Sequence, residues 1–237
     1  MTEIEVRRLR VFADETGAGG SLLAVVLDAA KQFPDADERL VLARRLGVPA
    51  TVFVDDAEQA EVTVHTPGGE LPTAGDALVG AAWKLGRILG GHPAVLRPPG
   101  GDAASWQDQG RVWARVPLAG VPAWTHRQVA DAAEVDALTL PRPAGADLEQ
   151  VWAWLDEPAG IVRARAFGER HGVVEDEACG SATMLLAVAL GRRITVRHGA
   201  GSIVLAAPGP EGFADVGGLV VEEERLVIDD LSEFLAG

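Results

Sequence analysis

The sequence predicts an α+β protein of two similar lobes, each a mostly antiparallel, barrel-like sheet wrapped around one central helix. Three observations support this class: short strands rich in Val, Leu or Thr, two helices that are apolar on nearly every face, and an internal repeat. A helix without a polar face must be surrounded by protein. A repeat with a period of about half the chain indicates a duplicated structural unit.

The first half of the chain consists of short strands separated by turns. A helix outside the sheet is predicted at Asp35–Leu46, because its apolar residues recur at helical spacing and its charges lie on the other face. Gly17–Gly20 hints at a phosphate loop, but a strand follows it where a dinucleotide motif needs a helix, so we interpret it as a turn. The predicted strands are Val6–Phe12, Leu23–Leu27, Thr51–Val54 and Glu61–His65.

The two apolar helices are predicted at Asp76–Leu89 and Ser181–Leu190. Each follows an acidic loop, a glycine and a polar cap, and each ends at Gly-Arg, as a comparison of HTPGGELPTAGDALVGAAWKLGR with ERHGVVEDEACGSATMLLAVALGRR shows. The boundary between the repeats is expected near the Pro- and Trp-containing stretch Arg111–Trp124. We therefore divide the chain into an N-terminal lobe, 1–110, and a C-terminal lobe, 111–237.

Composition excludes several classes of function. The net charge of −14 opposes binding to a phosphate backbone, so no nucleic-acid partner is expected. The longest apolar runs, Leu22–Leu27 and Met184–Leu190, are far shorter than the roughly 20 residues of a membrane span, and MTEIEVRRLR lacks an apolar signal core. We expect a cytoplasmic protein without a membrane partner. The five histidines show no paired spacing and Cys179 is the single cysteine, so neither a metal nor a disulfide is predicted.

The candidate site lies at the N-termini of the two apolar helices. The first N–H groups of a helix are unpaired, and the helix dipole attracts a carboxylate or an oxyanion to that end. Pro72–Asp76 and Asp176–Ser181 occupy these ends, where Gly75 and Gly180 would let a ligand approach the backbone. The alternative is that both segments are only helix caps.

Two residue types near the second helix end could carry chemistry. The helix field is expected to lower the pKa of the Cys179 thiol and favour a thiolate base, although a lone cysteine can equally be a small buried apolar residue. Asp176, flanked by Glu175 and Glu177, could act as a general acid or base, and it could equally belong to a solvated acidic loop.

Five segments in order resemble the PhzF-like family, which shares its two-lobed fold with diaminopimelate epimerase and proline racemase. VFADETGAGGSLLAVVLD is similar to the opening strand, turn and G-N-P-x-A-V-V segment, and LARRLGVPATVFVDD to the helix end and S-E-T-x-F-V strand. VHTPGGELPTAGDALVGAA resembles T-P-x-x-E-L-P-x-x-G-H-x-x-x-G-A-A, and FGERHGVVEDEACGSAT resembles F-x-P-x-x-G-x-x-E-D-x-x-x-G-S-A. VRHGAGSIVLAAPGPEGFADVGG resembles the closing R-Q-G-x-G-S and P-G-P-x-G strands.

The resemblance implies a homodimeric isomerase that needs neither a metal nor a coenzyme. One carboxylate would move a proton on a small carboxylated substrate held between the lobes. Two departures affect the first half of this site. The family's catalytic glutamate, in S-E-T, falls on Ala50, and its Gly-His becomes Gly75-Asp76, where an anion would repel a substrate carboxylate.

The second half of the family's site is better kept. In the epimerase and racemase branches a cysteine stands at the place of Cys179 as one of two opposed bases, but the opposing cysteine falls on Ala74. A two-base racemase is therefore not expected. The alternatives are a one-base isomerase with little activity on ordinary family substrates, a dehydratase, and a ligand-binding pseudoenzyme. The expected catalytic residues are Asp176 and Cys179, and the expected substrate-binding residues are Gly75, Asp76, Gly180 and Ser181.

Overall fold

A computed structural model describes residues 4–140, 148–168, 173–228 and 234. In this part of the chain, fifteen strands form one connected sheet that is mostly antiparallel and carries five helices. The strands are β1 Ile4–Ala13, β2 Gly19–Val26, β3 Ala50–Asp56, β4 Glu61–Thr66, β5 Gly69–Leu71, β6 Val95–Leu96, β7 Ala103–Asp108, β8 Arg111–Pro117, β9 Thr125–Gln128, β10 Glu149–Asp156, β11 Ile161–Gly168, β12 Val173–Asp176, β13 Ile194–His198, β14 Ser202–Pro208 and β15 Phe213–Ile228. The helices are α1 Ala29–Gln32, α2 Ala36–Leu46, α3 Gly75–Leu89, α4 Ala132–Asp136 and α5 Gly180–Leu190.

The main path of the sheet runs β5-β4-β3-β2-β1-β15-β14-β13-β11-β10-β9. Three neighbouring pairs along it are parallel, namely β2 with β3, β11 with β13 and β9 with β10. The strand β15 lies in the middle of this path and joins its two halves. Its first part pairs with β8 and β14, and its second part pairs with β1.

The four strands predicted in the first half are present as β1 to β4, with ends that differ by up to four residues. The predicted outer helix is α2, which begins after Asp35 because that carboxylate accepts hydrogen bonds from the N–H groups of Asp37 and Glu38. Leu42 and Leu46 are buried against a separate core cluster of β1 to β3. The prediction that this helix lies outside the sheet's main core is therefore confirmed.

The helix α3 begins one residue earlier than predicted and lies against β1, β2, β3, β7, β8 and β15. Its residues are buried on most faces as far as Leu85, but Ile88 and Leu89 are 45% and 41% exposed. The prediction that protein surrounds the whole helix is thus wrong for its last turn. The helix α5 contacts β14, β15 and α3, and it also begins one residue earlier than predicted.

No helix in the described ranges is long and apolar enough to cross a membrane.

Candidate functional site

At the first turn of α3, backbone N–H groups lie beside one carboxyl group, that of Asp76. Ala74 is the N-cap residue and has no side-chain oxygen to accept the first N–H groups. The carboxyl of Asp76 takes that place, because it accepts a hydrogen bond from the N–H of Ala77 and one from the hydroxyl of Ser21. Ser21 comes from β2 and is 7% exposed. The aspartate at this helix end is therefore held in position from two sides.

The first turn of α5 is arranged differently. Cys179 is its N-cap residue and makes no side-chain cap. The hydroxyl of Ser181 accepts a hydrogen bond of 3.0 Å from the indole N–H of Trp124 and lies 3.4 Å from the Cys179 sulfur. Asp176 accepts a bond of 3.0 Å from the N–H of Ala178. The first N–H groups of α5 are consequently left without a side-chain cap, next to a carboxylate and a thiol.

The two helix ends lie against the same side chain. A Cβ atom added to Gly75 would stand 2.9 Å from Cγ1 of Val216, and one added to Gly180 would stand 3.7 Å from Cγ2 of the same residue. The Gly75 position also approaches Met184 of α5 at 3.4 Å. The two segments thus lie against one residue, as expected from the sequence, and at Gly75 the absence of a Cβ is what permits the close approach.

The charge of Asp176, near the start of α5, acts on the pKa of Asp76 at the start of α3. Burial, and then the negative charge of Asp176, raise the pKa of the Asp76 carboxyl from 3.8 to about 6. The hydrogen bonds from Ala77 and Ser21 act in the opposite direction. Asp76 was expected to be a fixed anion that repels a substrate carboxylate. With a pKa of about 6, it becomes protonated as the pH falls through 6 and is mainly an anion above that.

The expectation for the thiol is wrong. Cys179 is only 2% exposed, and burial together with the charge of Asp176 raises the pKa of its thiol well above the usual value, despite its place at a helix N-terminus. The helix field is outweighed here because desolvation penalises the thiolate more. Cys179 is thus a neutral thiol at ordinary pH, with Asp176 as its hydrogen-bonding neighbour.

Ala50 is the first residue of β3, where it pairs with Leu23 of the parallel strand β2. It is 4% exposed and belongs to the core cluster that α3 and α5 share. A methyl group in this place cannot exchange protons. Whether it marks the position of a lost base stays a prediction from the sequence resemblance.

A hydrogen-bond chain connects the turn at Gly17–Gly20 to the loop before α5. The hydroxyl of Ser202 accepts a bond of 2.7 Å from the N–H of Gly20 and donates one of 2.7 Å to Glu177. Glu177 also accepts from the N–H of Ala200. The first two residues of the Gly-rich run lie in the turn between β1 and β2, as interpreted from the sequence, but Gly19 and Gly20 already belong to β2. The hydrogen bonds of Ser202 fix the start of β2 against the second half of the chain.

Phe12 shows an unusual backbone beside this site. It is fully buried with φ of 68°, a left-handed conformation that side chains rarely adopt, at a β-bulge between β1 and β15. Its ring faces α5, since a Cβ on Gly180 would lie 3.4 Å from it. Strained residues of this kind cluster at functional sites.

Sequence reasoning missed three side chains near α5. Trp124 binds the Ser181 hydroxyl, and His126 donates a bond of 2.9 Å to the carbonyl of Ala182. His198 is fully buried on β13, and burial lowers the pKa of its imidazole although Asp176 acts to raise it. Trp124 and His126 lie far from α5 in sequence, whereas His198 lies on β13, the strand that follows it. The one available sequence signal concerned His198, which stands in the triplet RHG where the resembled family pattern has R-Q-G.

In the described ranges no group of three His, Cys, Asp or Glu side chains is placed to hold a metal ion. Residues 169–172, which belong to the resembled motif before α5, lie outside the described residues.

Comparison with solved structures defines the class of this fold. The chain has the α+β fold of epimerase-type enzymes, since it resembles a hydroxyproline epimerase from Agrobacterium vitis, solved with bound trans-4-hydroxy-L-proline (TM-score 0.58, 12% identity, 96% of this chain and 93% of that chain). It also resembles a predicted epimerase from Pseudomonas aeruginosa (TM-score 0.65, 23% identity, 96% and 99% covered).

Within this class the chain has the PhzF-like form of the fold. A phenazine biosynthesis protein of the PhzF family from Enterococcus faecalis superimposes with a TM-score of 0.76 at 15% identity, over 96% of this chain and 99% of that chain. No family model matches the sequence. At these identities the comparisons define the fold, and the activity has to be argued from the site.

Proposed function

We propose that the chain is a PhzF-like isomerase that moves a proton on a small carboxylated metabolite without a cofactor. The observation that carries this proposal is the meeting of two helix N-termini on Val216 with the carboxyl groups of Asp76 and Asp176 coupled between them. Helix ends attract an anion, and a carboxyl group whose pKa lies near neutrality is suited to proton transfer. The fold, shared with a protein that is named an epimerase, agrees with this chemistry.

The substrate carboxylate is assigned to the N-terminus of α5. Gly180 and Ser181 offer backbone N–H groups that no side chain caps. Gly75 and Asp76 would form the opposite wall. With Asp76 partly protonated near pH 6, that wall repels a second anion less than a fixed carboxylate would.

Asp176 and Cys179 are proposed as catalytic residues with unequal roles. Asp176 would exchange the proton, since it adjoins both helix ends. The Cys179 thiol has a raised pKa, so it would act as a neutral donor to Asp176 and not as a thiolate base.

The division into lobes, the location and the oligomeric state of the chain are also proposals. We propose two lobes, 1–110 and 111–237, each with its sheet around α3 or α5, supported by the burial of both helices and the repeat between their sequences. We further propose a cytoplasmic homodimer with a small carboxylate as its ligand, on the resemblance alone. Light scattering at micromolar concentration should give twice the mass of 24.8 kDa, and a mass of one chain would refute the dimer.

A second candidate function is a ligand-binding protein that has lost catalysis. The observation in its favour is Ala50, which stands where the resembled family has its catalytic glutamate. Losing a general acid or base typically costs about 10² to 10⁴-fold in rate, so little activity is expected on ordinary family substrates.

Deuterium incorporation distinguishes the two candidates. The protein would be incubated in D₂O with lactate, alanine, trans-4-hydroxy-L-proline and cyclohex-1-ene carboxylate, and ¹H NMR would follow their carbon-bound protons. Exchange that falls about 10² to 10⁴-fold in Asp176→Asn and persists in the exposed control Glu211→Gln would support the isomerase. Shifts of the Gly180 and Ser181 amides on ligand addition, without any exchange, would instead support the binding protein.

A further inference from the structure

An open groove lies on the outer face of the sheet in the second half of the chain. Side chains alternate along β13 and β14, and those that belong to the core cluster shared with α5 are Ile194, Val196, Val204 and Ala206. The side chains between them therefore point away from α5. Their face borders a cavity of about 360 Å³, which falls within the roughly 300 to 1,000 Å³ of small-molecule sites.

The floor of this groove is mostly apolar. Ile161, Thr195 and Leu205 are direct neighbours across β11, β13 and β14, and Ile203 lies two residues before Leu205 on the same face. Three of these four side chains carry no polar atom. A ligand that covers them removes apolar surface from water, and this stabilises the bound state.

Two arginines that line the groove have no acidic partner. In the part of the chain that the structure describes, neither Arg193 nor Arg197 forms an ion pair. The guanidinium of Arg193 lies over the ring of Trp113, with its Cζ atom 4.5 Å from the ring centroid, and Trp113 stacks on Trp106 at 6.0 Å. Stacking orients a guanidinium while its N–H groups stay available as donors, so Arg193 is prepared to bind an acceptor.

Two acidic side chains in the lining limit its positive charge. Glu15, in the turn between β1 and β2, forms an ion pair with Arg111 at the start of β8, so their charges largely cancel. Asp108 is exposed at the end of β7, and no residue in the described ranges forms an ion pair with it. The lining therefore carries three arginines against two carboxylates, and a positive charge remains although the whole chain carries −14.

We propose that this groove binds a small organic anion that has an apolar body. The carboxylate of such a ligand lies against Arg193 and Arg197, because guanidinium N–H groups match carboxylate oxygens in geometry and charge. Its apolar body covers Ile203 and Leu205. This ligand site is separate from the two helix ends and does not depend on the proposed isomerase function, since it lies on the opposite face of the sheet from α5.

Titration of the full chain with benzoate, followed through the backbone amides by NMR, tests the proposal. We expect the amides of Thr195, Ile203 and Leu205 to shift, with half-saturation at or below about 1 mM. Acetate has the charge without the ring, and benzylamine has the ring with the opposite charge, so both should bind more weakly. Half-saturation by benzoate above that concentration would mean an adventitious ion only, and it would overturn the proposal, as would equal or tighter binding of benzylamine.

Substitution of the two arginines tests the assigned contacts. Arg193→Gln and Arg197→Gln should each weaken benzoate binding about tenfold, because each removes a hydrogen bond to a charged group. Arg87→Gln is the matched control, since Arg87 also stacks on a tryptophan, with its Cζ atom 5.0 Å from the Trp83 ring, but does not line the groove. Benzoate affinity that is the same in all three variants as in the wild type would overturn the proposal.

Asp108→Asn distinguishes an anion from a zwitterion or a cation. Removal of this carboxylate should tighten benzoate binding about twofold, because a like charge near the ligand is lost and exposed charges interact weakly. A variant that binds benzoate less well than the wild type would overturn the assignment of an anion to this groove.

The amides that shift also separate this site from the one at the helix ends. Shifts at Thr195 and Leu205 that are lost in Arg197→Gln, while the Gly180 and Ser181 amides behave as in the wild type, support a ligand in the groove. Shifts confined to Gly180 and Ser181 overturn the groove as a ligand site and leave the proposed isomerase standing.

Discussion

Replacing Asp76 with asparagine should raise the free energy of unfolding by about 2 to 3 kcal/mol at pH 8 and change it little near pH 4. The pKa of this carboxyl is raised on folding from 3.8 to about 6, so the folded state holds a proton over that window that the unfolded state has released. Stability from this group is therefore present at low pH and is lost as the pH rises through 6. Asparagine keeps an oxygen for the Ser21 and Ala77 hydrogen bonds but carries no charge.

Chemical denaturation at several pH values measures this effect. Burial lowers the pKa of His65, His92 and His198, so these groups destabilise the fold as the pH falls, and only the difference between variant and wild type isolates Asp76. Asp37→Asn, in the exposed first turn of α2, is the control and should show no gain at pH 8. An Asp76→Asn variant that is equally stable or less stable than the wild type at pH 8 would contradict the raised pKa.

Two glycine-to-alanine substitutions in α3 should change stability in opposite directions. A Cβ on Gly80 would stand 2.2 Å from Cδ2 of Leu23 and 3.0 Å from Cγ2 of Val11, and both side chains are fully buried. Neither can move aside without disturbing the sheet, so we expect Gly80→Ala to lose about 1 to 3 kcal/mol. Gly86 has only ordinary contacts, with His92 as the nearest at 3.5 Å, so Gly86→Ala should gain about 0.5 to 1 kcal/mol from helix propensity.

Thermal and urea unfolding of both variants test this pair, because each replaces a glycine by alanine in the same helix. A stabilised Gly80→Ala would mean that α3 does not lie as close to β1 and β2 as described. A shift of the Asp76 resonances in Gly80→Ala would show that this packing also sets the position of the candidate site.

The helices α3 and α5 and the strands β1 to β4 could be predicted because short stretches of the sequence mark each of them. Glycines and polar caps bracket the apolar segments that become α3 and α5, and short runs rich in Val, Leu or Thr mark β1 to β4. The meeting of Gly75 and Gly180 was also foreseeable, since a repeated helix end in each half suggests one shared site. Composition and spacing were sufficient for these features.

The electrostatics of the site could not be foreseen in the same way. The pKa of the Cys179 thiol depends on how deeply the residue is buried, and that depth is decided by packing with residues such as Trp124, which is far away in sequence. His198 reaches the neighbourhood of Asp176 only through the pairing of β13 with β11, and of β11 with β12. Phe12 adopts a positive φ although nothing in its residue type favours one.

The course of the strand β15 bears on how the chain can fold during synthesis. Residues 219–228 pair with β1, which lies more than 200 positions earlier, and residues 213–218 pair with β8. While the ribosome is still translating the second half, β1 therefore presents one unpaired edge to solvent, and such edges invite strand exchange with other nascent chains. The first half can acquire its hairpins early, but the sheet closes only after residue 228 has left the exit tunnel.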